Sequence, residues 1–97
     1  MTEKSISEEE LDDWEALAAA AVKGPWKSYV EGRDHTSGDS FIRTGGDDSD
    51  APDMYVHLYY GTASTIDLPT HDFVAAAREA VPRLIAEVRR LRAASAS

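Results

Sequence analysis

Between Asp72 and Arg92 the chain reads DFVAAAREAVPRLIAEVRRLR, the strongest helical pattern it contains, and a proline stands in the middle of it. Val74, Ala77, Val81, Leu84, Val88 and Leu91 recur at steps of 3, 4, 3, 4 and 3. That is a heptad seam with valine at every a position and leucine at the last two d positions. Pro82 falls at b, outside the seam. Within an uninterrupted helix it removes one backbone donor and crowds the carbonyl of Arg78, at a cost of roughly 3 kcal/mol. The pattern therefore predicts a kink or break near residues 79–81, with Pro82 opening a second segment where its missing N–H costs nothing. A helix over 82–93 is too short to persist unsupported in water, so it has to dock on something.

Two docking surfaces remain open. In one, Leu84, Ile85, Val88 and Leu91 pack on the domain's own sheet and first helix, Ile85 widening the stripe beyond a strict seam. In the other, the same residues meet a second copy of the chain. Valine at a with leucine at d suits a parallel pair, and Glu87 at g then faces Arg92 at e of the partner. Size favours extra burial from outside. A chain of 97 residues makes one small domain, read here as 1–97 with flexible ends at 1–6 and 94–97, and its core is marginal. With no cysteine there are no disulfides or thiolate sites, and stability rests on packing alone.

Ser7 followed by Glu10 is a capping box, and Glu8, Glu9 and Glu10 meet the positive end of the helix they open. Leu11, Trp14, Leu17, Ala18, Ala21 and Val22 form its apolar stripe, and Lys23, Gly24 and Pro25 are the stop, with Gly24 free to turn left-handed. The period then changes to two. Strands are predicted at 26–31, at 41–44 and at 54–60 (MYVHLYY), with a further short extended piece in STIDL. Thr70 caps the last helix. The fold class expected is α+β: an N-terminal helix, a small three-stranded antiparallel sheet, and a C-terminal helix kinked or split near Pro82. Its expected core is Trp14, Leu17, Trp26, Val30, Phe41, Met54, Val56, Leu58, Phe73, Val81, Leu84 and Val88.

Charge narrows the function. Residues 1–69 carry 15 acids and 5 bases, whereas residues 70–97 carry 3 acids and 5 bases. An acidic body repels phosphate, so direct nucleic-acid binding is not expected. No apolar run reaches membrane-spanning length and the acidic N terminus does not read as a signal peptide, which points to the cytoplasm. Asp47, Asp48, Asp50 and Asp53 cluster without the alternation of a calcium loop, so no metal is expected. His57 on a strand, His71 beside Asp72 and the GDS of residues 38–40 lack the context of a catalytic site. No cofactor motif is present. Two surfaces stand out instead. Tyr55, His57 and Tyr59, with Tyr29, form an aromatic platform for a partner if one sheet face is uncovered. The acidic first helix with Asp47–Asp53 presents a field that mimics phosphate.

KGPW at 23–26 and HDFVAAAREAVPRLIAEVRRLR at 71–92 together resemble a group of small uncharacterised proteins of actinobacteria and their phages and prophages. The residues that carry the likeness are Gly24, Pro25, Trp26, Asp72, Phe73, Ala75, Ala77, Arg78, Val81, Pro82, Leu84, Glu87, Arg90 and Leu91. Residues 27–69 have no counterpart in it. The group has no assigned activity, so the resemblance implies a phage or mobile-element setting, a host-cell cytoplasm, and no mechanism. The function expected is a small non-enzymatic interaction protein, homodimeric through residues 82–93, that occupies a surface of a host or phage protein. The alternative is an acidic nucleic-acid mimic that inhibits a defence or DNA-processing enzyme.

Overall fold

The computed structural model of the protein describes residues 4–36, 38–48 and 50–96. The fold is α+β, with α1 (Glu8–Ala20), β1 (Lys27–Tyr29), β2 (Phe41–Arg43), β3 (Asp53–Met54), β4 (Leu58–Tyr60), β5 (Ala63–Thr65) and α2 (Leu68–Ala96) in chain order. The strands form a three-stranded antiparallel sheet, β1-β2-β3, and a separate β4-β5 hairpin. No helix among the described residues is long and apolar enough to cross a membrane.

The capping box at the start of α1 is complete: Glu10 N–H donates to Ser7 Oγ, and Ser7 N–H donates to Glu10 Oε1, both at 3.0 Å. The far end departs from expectation. α1 stops at Ala20, with Ala21 already extended. Gly24 does not turn left-handed but makes room, since a Cβ there would lie 3.2 Å from Arg78 Cγ. The Lys23–Pro25 link is pinned to the next loop, its Lys23 carbonyl accepting from Gly45 N–H at 2.7 Å.

The single strand expected over 54–60 is two. β2 offers only a short edge before Gly45 and Gly46, both at positive φ, turn the chain away, so only Asp53 and Met54 find ladder partners on it. Tyr55–His57 then run free of pairing, and β4 finds its partner in β5 across the two-residue turn that starts with Gly61.

Of the kink or split expected near Pro82, the split does not occur. α2 runs from Leu68 to Ala96 with Pro82 inside it. It starts two residues before Thr70, because Asp67 is the capping residue: its Oδ2 accepts from Thr70 N–H at 3.0 Å. Contacts from the N-terminal helix brace α2 on both sides of the proline. Arg78 reaches the Ala18 carbonyl before it, and Arg89 and Arg92 reach α1 and its approach after it. These contacts hold the helix on both sides of the proline. The ends expected to be flexible are partly engaged: Arg92 donates to the Ile6 carbonyl and α2 continues to Ala96, while residues 1–3 and 97 lie outside the described set.

The largest correction concerns the core. Among the described residues the buried apolar ones are Leu11, Val30, Ile42, Ala75 and Ile85. Of the expected core, Val30 is buried and Trp26, Phe41, Met54, Val56, Leu58 and Val88 are half-buried. Trp14, Leu17, Phe73, Val81 and Leu84 are exposed. The reason is geometric: α1 lies along the C-terminal half of α2 and the sheet packs on the N-terminal half, so no layer closes over the side both leave open. The radius of gyration is 17.0 Å, whereas a compact chain of this length has one of about 12.5 Å.

Because Pro82 sits within a continuous helix, Pro82→Ala is expected to raise the stability to urea by about 1–3 kcal/mol. An unchanged or lowered midpoint would instead mark Pro82 as the start of a second helix.

Candidate protein-binding groove

The open side is a continuous apolar groove of about 660 Å³. Its α1 bank is Leu11, Trp14, Leu17 and Ala18, its α2 bank runs from Phe73 through Val81 to Val88, and Trp26 closes one end. Phe73, Leu17 and Leu84 are the most prominent, at 73%, 69% and 62% exposure. Covering side chains of this size contributes roughly 1.5–3 kcal/mol each. Trp26 is held in place by polar contacts that leave its apolar surface to the groove. Its Nε1–H donates to the Val22 carbonyl at 3.0 Å, and the Arg78 guanidinium lies 5.8 Å from its ring.

Charge is segregated across the groove. α1 carries six carboxylates and no base, whereas α2 carries five arginines against three carboxylates. Arg89 pairs with Asp12 at 2.6 Å and Glu15 at 2.7 Å, and Arg92 with Glu8 at 3.1 Å. The Glu15 carboxylate, first, then Asp12, hold Arg89 more firmly protonated than a free arginine. All these pairs face water, so they set the antiparallel register of the helices more than they stabilise it.

The residues expected for self-association divide. Ile85 is buried, Val88 is half-buried in the groove, and Leu84 and Leu91 are exposed. Glu87 pairs with Arg90 at 2.5 Å and Arg92 with Glu8, so the Glu87–Arg92 contact between copies is not needed to satisfy either charge.

The aromatic row also divides. Tyr29 stacks on Phe41 at 5.5 Å, and Tyr55 and His35 lie 6.2 and 5.4 Å from the same ring. His57 and Tyr59 lie 6.5 Å apart on the approach to β4 and on β4 itself. The break after β3 separates the two groups, and Tyr55 and Tyr59 remain exposed in different settings. Phe41 and His35 were not assigned to this surface from sequence. Asp47, Asp48 and Asp53 do not converge, and no group of three metal-ligating side chains exists among the described residues. The Asp48 carboxylate accepts from Asp50 N–H at 3.0 Å, which is turn chemistry.

A polar knot joins sheet to helix. Ser28 Oγ lies 2.7 Å from His71 Nδ1, and Arg33 grips Asp72 with two bonds of 2.8 and 3.0 Å. Arg33, and then the Ser28 hydroxyl, hold the Asp72 carboxyl down at about 2. A consistent proton arrangement runs from His71 Nδ1–H to Ser28 Oγ and from the Ser28 hydroxyl to Asp72, leaving only the Nε2 lone pair of His71 without a hydrogen-bond partner. His71 is wholly buried, and its bond to Ser28 ties the start of α2 to β1. Nothing in sequence joined Ser28 to His71, which lie 43 positions apart.

Compared with known protein families, curated proteins and solved structures, the chain matches none.

Burial holds His71 below its ordinary value of 6.5, so the unfolded chain takes up this proton first. Its contribution to stability is complete above that pH and falls as pH drops from 6.5 towards the lowered folded value. Asp72 acts in a lower window, its contribution lost as pH falls from 3.8 to about 2. Urea midpoints measured from about pH 7 to about pH 5 are expected to decline more steeply for the wild type than for His71→Asn. Parallel profiles would show that His71 is not buried neutral.

Proposed function

We propose that this is a small non-enzymatic interaction protein of the cytoplasm, of phage or prophage origin, which acts by docking its apolar α1/α2 face on another polypeptide. The observation that carries this reading is the groove itself. Trp14, Leu17, Phe73, Val81 and Leu84 share one open face, in a chain whose buried apolar set is small. Contiguous exposed apolar surface on this scale marks a binding site, and two parallel banks with a trough between them suit an amphipathic helix. The homodimer expected from the heptad seam is one form of such docking. The action is steric: a surface is occupied and no bond is made or broken.

The second reading, an acidic mimic of nucleic acid that inhibits a defence or DNA-processing enzyme, draws on the six carboxylates of α1. Arg89 and Arg92 already meet Asp12, Glu15 and Glu8, which weakens that field and favours the groove.

Both tryptophans of the chain line the groove and report on anything that enters it. A display screen of helical peptides is expected to return amphipathic sequences that blue-shift their emission. Leu17→Asp/Leu84→Asp is expected to weaken that binding about 100-fold, while moderate salt changes it little. Ligands that survive the double substitution and dissociate steeply with salt would replace the groove by the acidic surface.

A further inference from the structure

We infer that the polypeptide covering this groove is a second copy of the chain, joined hairpin to hairpin in a four-helix bundle with α1 of each copy lying antiparallel on α2 of the other. The inference rests on the protein-docking reading above and names its partner. Area is the first argument. The chain exposes 7189 Å², whereas a compact monomer of its mass exposes roughly 5,500 Å². The excess is about twice the 800 Å² or so that each partner contributes to a stable interface of ordinary size, and the groove shares it with the β4-β5 hairpin, which packs on no other element among the described residues.

Charge selects both the occupant and its orientation. A foreign helix of one sign would be repelled by one bank of the groove, since α1 is acidic and α2 basic. A second copy supplies both signs. Two closed two-fold arrangements place one helix pair on the other. With the axis perpendicular to the helices, α1 faces α1 and the carboxylates that Arg89 and Arg92 leave unpaired meet their copies. With the axis along the helices, each acidic α1 faces a basic α2, and both seams are attractive. Asp13 and Arg83 have no ion-pair partner among the described residues and add unspent charge of each sign.

Level matching fixes the contact. Within one chain Arg89 reaches both Asp12 and Glu15 and Arg92 reaches Glu8 across the antiparallel pair, which brings Leu17 to within about one turn of the height of Leu84. An axis along the helices preserves height, so Leu17 of one copy opposes Leu84 of the other. This arrangement differs from a parallel zipper through residues 82–93 alone, because Trp14, Leu17 and Phe73 become part of the interface.

The chain has no cysteine, so Leu17→Cys and Leu84→Cys report contacts cleanly. Light scattering of the wild type is expected to give a dimer. Leu17→Glu/Leu84→Glu, altering two side chains that the monomer leaves exposed, is expected to keep the circular dichroism of the parent and weaken dimerisation about 100-fold. Mild oxidation of the mixed cysteine variants is expected to yield the crosslinked heterodimer, and each variant alone little product. Self-crosslinking of Leu17→Cys would overturn the orientation, and a monomeric wild type at its highest soluble concentration would overturn the dimer. In that monomer, 8-anilinonaphthalene-1-sulfonate bound by the parent and lost in the Glu double variant would leave the docking reading standing. A monomer that binds no dye would end both.

Discussion

α1 is held against α2 by one buried contact line, with Leu11 from one side and Ile85 from the other, and by arginines placed above and below it. The remaining features of the helical layer depend on this line. Arg78 donates to the Ala18 carbonyl where the last turn of α1 leaves its acceptors unpaired, and its guanidinium covers Trp26. Gly24 lets the chain pass close enough for both contacts. Arg89 and Arg92 then set the register along the rest of α1. Exposed ion pairs contribute about 0–1 kcal/mol each. They choose among registers that the apolar stripes would otherwise make nearly equivalent.

Local chemistry was legible in the sequence. Ser7 and Glu10 specify the start of α1 through neighbours three residues apart, and the period-two stretches mark β1 and β2, because these signals need nothing beyond the segment itself. Tertiary geometry was not. Val74 to Leu91 announce an apolar face, but periodicity says only that a face exists and is silent on what covers it, so Leu84 and Phe73 read as core and lie open. Pro82 read as a kink or break because the rule for an isolated helix ignores bracing from a neighbour, which Arg78 and Arg89 supply. MYVHLYY read as one strand because alternation does not reveal how long a partner strand is, and β2 is too short to pair all of it.

The other end of α2 is organised by polar chemistry. Ser28, Arg33, His71 and Asp72 come from a strand, a loop and the first turns of the helix, and each satisfies another. Burying such a network without partners would be costly, so it specifies one docking angle of helix on sheet where apolar contacts alone would tolerate several. Thr44 extends the same logic. Its hydroxyl, buried behind β2, donates to the Pro52 carbonyl and closes the acidic loop on itself. The four aspartates of that region therefore decorate a turn held by backbone bonds and one threonine.

These two halves of α2 have different dependencies. The sheet end is closed by hydrogen bonds and by Val30, Ile42 and Ala75, none of which lines the groove. The helix end depends on Leu11 and Ile85, which lie among the groove's lining residues and are buried even though the groove is open. Such a division lets an apolar face stay open without loosening the sheet end. The polar knot at His71 anchors α2 on the sheet, whereas α1 is bound by one apolar line and water-facing arginines and is the less firmly held element. The groove and the small core are thus one fact seen twice: the side chains that would have closed this fold internally are the ones that line its open face.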